Sequence, residues 1–119
     1  PYALHTLVPV LWNRFRRLTL VSLDAGERVT IDIDIQFGFG DRTFTREGLV
    51  VAEIKQPKFS SASPFGHQMH LHHIQPQSFS KFCMGTAQLN PALKQNRFKP
   101  LLLHLDQICP VRGDHAPRQ

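Results

Sequence analysis

Three stretches of the chain carry side chains suited to holding an anion. Trp12-Asn13-Arg14-Phe15-Arg16-Arg17 puts Arg14 and Arg16 on one face of an extended strand and Arg17 on the other, with Phe15 and Thr19. A guanidinium offers a fork of donors that matches phosphate oxygens bidentately, so Arg17 is a candidate anion ligand; basic residues on a strand also serve as a solvated face or as edge protection. From Arg28 the chain alternates, with Arg28, Thr30, Asp32, Asp34 and Gln36 polar and Val29, Ile31, Ile33, Ile35 and Phe37 apolar. Its polar face meets either water or a ligand. In Gly48 to Gln56, Leu49, Val51, Glu53 and Lys55 share a face. Side by side, these strands offer a surface on which a carboxylate can hold a divalent cation while Arg and Lys hold the phosphates that the cation bridges.

Other groups invite chemistry with less support. His67, His70, His72 and His73 sit close together, and an extended His70-x-His72 would put both imidazoles on one face. They lie in a Pro/Ser-rich stretch with no nearby Cys and no zincin-type Glu, so surface histidines are the expectation. Ser80-Lys81-Phe82 at a helix start combines backbone donors, a hydroxyl and an ammonium, which suits phosphate and equally suits a simple cap. No Gly-rich phosphate loop is present, and no side-chain nucleophile can be argued from spacing. Cys83 and Cys109 match no metal spacing and read as two reduced thiols of a cytoplasmic protein.

The elements that must position these groups fall into two layers. Asn13 to Ser22 and Arg28 to Phe37 read as a hairpin joined across Asp24-Ala25-Gly26, Gly38-Phe39-Gly40-Asp41 as a breaker, and Gly48 to Gln56 as a third strand of a meander. Gln56 to Gln77, rich in Pro, Ser and His, reads as loop. Ser78 or Ser80 can cap a helix running to about Leu89; Asn90-Pro91 reads as a further helix start, and Lys99-Pro100 opens a last helix with Leu101, Leu102, Leu105 and Ile108 on one face. After Pro110 no periodicity remains, and the tail is expected to be disordered.

Composition sets the frame. The 119 residues suit one domain, and 41% hydrophobic content supports a modest core. Fourteen Lys and Arg against nine Asp and Glu give a net charge of +5, which favours an anionic partner. No apolar run approaches the roughly 18 residues of a membrane span. Pro1-Tyr2-Ala3-Leu4-His5 lacks the layout of a secretory signal and reads as the start of a fragment.

The stretches Phe15-Arg16-Arg17-Leu18-Thr19-Leu20, Glu27-Arg28-Val29-Thr30-Ile31-Asp32, Ala52-Glu53-Ile54-Lys55-Gln56, Ser78-Phe79-Ser80-Lys81-Phe82 and Lys94-Gln95-Asn96-Arg97-Phe98-Lys99-Pro100 occur in order. Together, from about Leu7 to Ile108, they resemble the C-terminal half of a VTC-type polyphosphate polymerase domain. The resemblance implies an α+β fold in which antiparallel strands form part of a triphosphate tunnel barrel of the CYTH-like superfamily, followed by C-terminal helices. Residues 1–108 would be the partial domain, with strands at about 13–56, loop at 57–77 and helices at about 78–108, and residues 109–119 would be a disordered tail.

The resemblance further implies a phosphotransferase, acting in the full-length parent, that moves the terminal phosphoryl group of ATP onto inorganic polyphosphate with a divalent metal, Mn2+ or Mg2+. By position, Arg17 and Arg28 resemble phosphate ligands of the lumen, Glu53 the metal-binding Glu, Lys81 a phosphate-contacting Lys, and Lys55 a further phosphate ligand beside Glu53. Phe15 and Phe82 stand where the family usually has Tyr. Three strands cannot close a barrel, so pairing with a missing N-terminal half or with a second copy is expected. A non-catalytic polyphosphate or triphosphate sensor, or an inactive partial copy, is the alternative. Nucleic acid is not the expected partner, because stacking aromatics do not interleave with basic residues on one face.

Overall fold

The computed structural model describes residues 6–114 except Ala25, Phe59, Ser61 and Gln95, with backbone alone for 112–114. An antiparallel sheet is followed and covered by helices, an α+β arrangement. The elements are β1 (Trp12–Val21), β2 (Arg28–Phe39), β3 (Arg42–Arg46), β4 (Val51–Lys55), α1 (Pro64–Leu71), α2 (Lys81–Leu89), α3 (Lys99–Ile108) and β5 (Val111–Asp114). β2 is the central strand. It pairs with β1 along one edge, while its other edge is shared by β4, opposite Arg28 to Asp32, and β3, opposite Gln36 to Phe39. β5 continues the sheet beyond β3. Among the described residues the sheet is open, and no helix is long and apolar enough to cross a membrane.

A bulge in β2 decides which side chains share a face. Arg17 is opposite Asp32 and Arg16 opposite Ile33, but Arg14 is opposite Gln36, so Asp34 and Ile35 together face Phe15. Asp34 takes the extra residue in a left-handed conformation, φ 53°, which its short polar side chain tolerates. The strict alternation expected over residues 28–37 therefore breaks at Asp34. Beyond it Ile35 and Phe37 lie on the face that carries Asp32 and Thr30 rather than on that of Ile31 and Ile33. One face of one sheet is thus polar at the β4 end and apolar at the β3 end.

The apolar end holds the core: Ile35, Phe37, Phe44, Leu49, Met84, Leu89, Leu105 and Cys109 are buried together, with Phe15 and Val51 packed at its margin. Phe37 and Phe44, cross-strand partners, stack with ring centres 5.0 Å apart. Arg46 enters this layer with its side chain fully buried, donating to Asp106 (2.8 Å), the Cys109 carbonyl (2.9 Å) and Gln88 (2.9 Å), and so ties β3 to α2 and α3.

Four expectations need correction. Gly38-Phe39-Gly40-Asp41 does not break the sheet: Gly38 and Phe39 end β2, Gly40 turns the chain at φ 57°, and the short alternating run from Arg42 forms β3. Gly38 serves close packing, since a Cβ there would come 2.2 Å from the Trp12 ring. The loop expected over 57–77 contains α1, where Ser63 Oγ accepts from the Gly66 amide (3.0 Å) and Pro64 occupies the first turn. That local capping outweighs a loop-like composition. Asn90 closes α2 instead of opening a helix. Finally, residues 111–114 of the expected disordered tail pair with β3, whereas 115–119 lie outside the described residues. The helices starting at Lys81, capped by Ser80, and at Lys99 match expectation.

Candidate phosphate-binding cleft

Backbone register brings the sequence-derived candidates together. Cross-strand partners share a face, and in the polar half of the sheet they form three rows across β1, β2 and β4: Arg17, Asp32 and Val51; Thr19, Thr30 and Glu53; Val21, Arg28 and Lys55. Arg17, Thr19, Arg28, Thr30, Glu53 and Lys55 line an open cleft of about 160 Å³. Its lining has three cations, one carboxylate and two hydroxyls, with no apolar side chain. Four of the five candidate ligands, Arg17, Arg28, Glu53 and Lys55, are therefore neighbours.

Lys81 is placed differently. It opens α2, and its ammonium donates to Asp32 Oδ2 at 2.5 Å rather than lining the cleft. Asp32, its side chain 2% exposed, also accepts Arg17 Nε (2.6 Å) and Arg17 Nη2 (2.9 Å), a fork of two hydrogen bonds. The Phe15 ring lies beside both cations, 5.0 Å from the Arg17 guanidinium carbon and 4.7 Å from Lys81 Nζ. The Arg17 hydrogen bonds, despite the opposing effect of burial, together with Lys81 hold the Asp32 carboxyl down to about 2, below the ordinary 3.8. The same carboxylate raises the Arg17 pKa.

Asp32 is the site residue that sequence reasoning passed over. Alternation showed it only as a polar position open to water, and a carboxylate is not an expected neighbour of phosphate. The signal was present in the row Arg17 and Asp32, but reading it required the hairpin register. Thr19 and Thr30 were likewise on the right face without being singled out.

The other polar groups stay outside the cleft. Arg14 donates to Gln36 (2.8 Å), and Arg16 pairs with Asp34. Glu27 sits at the start of α1, where hydrogen bonds from Ser63, Gln56 and the Phe65 amide, in that order of effect, lower its pKa against the penalty of burial. This contact ties the first turn of α1 to the strand ends that carry Arg28 and Lys55. Among the described residues no group of three or more His, Cys, Asp or Glu, those of α1 and its cap included, is arranged to hold a metal.

Donor chemistry allows one kind of cation here. Glu53 is exposed, 3.5 Å from Lys55, and is the cleft's single lining carboxylate. A hard divalent ion that keeps its waters and takes further oxygens from substrate phosphates needs only one or two carboxylates, so Glu53 fits such an ion whereas a full protein cage is absent among the described residues. A family model described as "VTC domain" matches residues 2–90, well over half of the chain. No curated protein and no solved structure matches it.

Proposed function

The chain belongs to the VTC domain family, and from that premise we propose that its cleft is the phosphate-binding wall of a polyphosphate polymerase-type domain. In this reading the terminal phosphoryl group of ATP passes to the end of an inorganic polyphosphate chain. The observation that carries it is the convergence of Arg17, Arg28 and Lys55 around Glu53 on one sheet face.

Phosphoryl transfer asks little covalent chemistry of a protein; it asks that phosphates be aligned and their charge offset. Arg28 is suited to this because no ion pair occupies it among the described residues, and Lys55 stands opposite it on β4. Arg17 presents the side of its guanidinium that Asp32 leaves open. Glu53 would hold Mn2+ or Mg2+, which when bound would neutralise charge between adjacent phosphates. The acceptor's terminal oxygen forms the new P–O bond as the bond to the β-phosphate bridge breaks, with ADP as the leaving group, so no protein nucleophile is used. The open sheet would complete its tunnel through its free edges, with strands of a longer chain or of a second copy, in a cytoplasmic setting.

A second reading, a polyphosphate or triphosphate sensor without turnover, is favoured by Phe15, which offers Arg17 and Lys81 a ring face and no hydroxyl. Thermal melts at fixed ionic strength, with and without tripolyphosphate and manganese, test both. Ligand at 100 times its dissociation constant adds about 2.7 kcal/mol, an upward shift of several degrees. That shift should vanish in Arg28→Ala; an unchanged shift there sinks the cleft. ADP release from ATP in the presence of a polyphosphate primer separates polymerase from sensor.

A further inference from the structure

One carboxylate oxygen holds together two cations that would otherwise repel each other. Asp32 Oδ2 accepts from both Arg17 Nη2 (2.9 Å) and Lys81 Nζ (2.5 Å), while Oδ1 accepts from Arg17 Nε (2.6 Å). The cations come from different elements, β1 and α2, and the carboxylate that joins them stands on β2. Asp32 is the most deeply buried of the three, its side chain 2% exposed against 43% for Arg17 and 18% for Lys81. A guanidinium has five N–H donors and an ammonium three, so Asp32 leaves donors on both cations for another acceptor. Phe15 flanks both cations with a ring that bears no hydroxyl to take them up. An acid at the edge of a cleft lined by cations opposes the binding of phosphate by its charge, so its presence there calls for a compensating role.

We propose that Asp32 is a positioning residue for the cleft: its carboxylate seats the Arg17 guanidinium and the Lys81 ammonium side by side, so that their remaining donors converge on one phosphate group. This rests on the cleft being a phosphate site. Two effects of the carboxylate oppose each other. Its charge weakens the attraction for an anion. Its hydrogen bonds fix two long side chains whose freedom would otherwise be lost on binding, and this pre-organisation strengthens it. With three hydrogen bonds on a buried acid, the second effect is the larger. Removing the charge then has opposite consequences under two roles: a mere counter-charge would give tighter binding when lost, a positioning residue weaker binding.

Titration calorimetry with tripolyphosphate on the full chain at constant ionic strength tests this, with melts to establish that each variant is folded. Asp32→Asn raises the net charge by one yet should weaken binding about threefold or more, and Asp32→Glu, which keeps the charge but moves the carboxylate, should weaken it as well. Affinity at or above that of the parent in either variant overturns the proposal. Coupling separates positioning from general damage to the fold: Asp32→Asn should weaken binding much less in an Arg17→Ala background than in the parent, and as much in a Lys55→Ala background as in the parent. Equal losses in all three backgrounds overturn the proposal. Should the Asp32 variants fail to fold, the unsubstituted protein still decides the matter by nuclear magnetic resonance. Adding tripolyphosphate should move the Arg17 guanidinium and Lys81 Nζ resonances together while the Arg17 Nε–H stays protected from exchange with water. Loss of that protection on binding, or movement of Arg17 without Lys81, overturns the proposal. No binding by the parent protein, or full binding by Arg28→Ala, overturns the cleft itself and the positioning role with it.

Discussion

Arg17 and Asp32 face one another across β1 and β2 and are joined by two hydrogen bonds, of 2.6 and 2.9 Å, on the polar side of the sheet. The pair lies at the boundary between cleft and core: the next residues on the same face are Phe15 and Ile35, both in or against the core. A buried carboxylate with two cationic partners is costly to assemble and costly to disrupt, which makes it a sensitive probe of the fold.

Acid should reveal it. The folded Asp32 pKa of about 2 lies below the ordinary 3.8, so its stabilisation is complete well above pH 4 and is lost as pH falls from there through 2. The loss amounts to about 2 kcal/mol. Urea unfolding at pH 6 and pH 2 should show the parent losing that much more than Asp32→Asn; equal losses would mean that Asp32 is not held as described.

Arg46 is a structural cation, separate from the cleft. Arg46→Ala would leave Gln88 and the Cys109 carbonyl without their donor and open space beneath α2 and α3, at a cost of about 2–4 kcal/mol. The expected result is a lower urea midpoint with tripolyphosphate affinity preserved in the folded protein. A stability within 0.5 kcal/mol of the parent, roughly the effect of a surface substitution, would count against the buried network.

The bulge at Asp34 rests on a left-handed residue. Asp34→Gly should leave stability within about 1 kcal/mol of the parent, since glycine relieves the backbone even as the Arg16 pair is lost. Asp34→Val should cost a further 1–2 kcal/mol or so, because a β-branched side chain resists that conformation. If valine proves as stable as glycine, β2 runs without the bulge.

Glu53 separates metal from phosphate. Glu53→Gln should bind tripolyphosphate at least as well as the parent in chelator, because a negative charge has left the cleft, yet lose most of the gain that manganese confers. An undiminished manganese effect would place the cation elsewhere.

Periodicity and caps in the sequence determined the α+β class, the β1–β2 hairpin, the strand carrying Glu53 and Lys55, and the helices opened by Ser80 and Lys99. These follow from local rules: alternation, a turn, a hydroxyl before a helix. The set Arg17, Arg28, Glu53 and Lys55 was legible for the same reason, since each sits on a strand whose facing could be read from its neighbours. Only the tertiary structure decided the rest. Whether β2 keeps its alternation depends on one φ angle at Asp34, which shifts register by one residue and swaps every side chain beyond it to the other face. β3, no shorter than β4, is hidden behind Gly38-Phe39-Gly40-Asp41, which locally reads as a breaker although it closes a hairpin with β2, and the four-residue β5 gains its backbone partners from β3, far along the chain. The attachment of Lys81 to Asp32 joins residues 49 apart in the chain, a contact that no local pattern encodes and that arises when α2 packs on the apolar half of the same face.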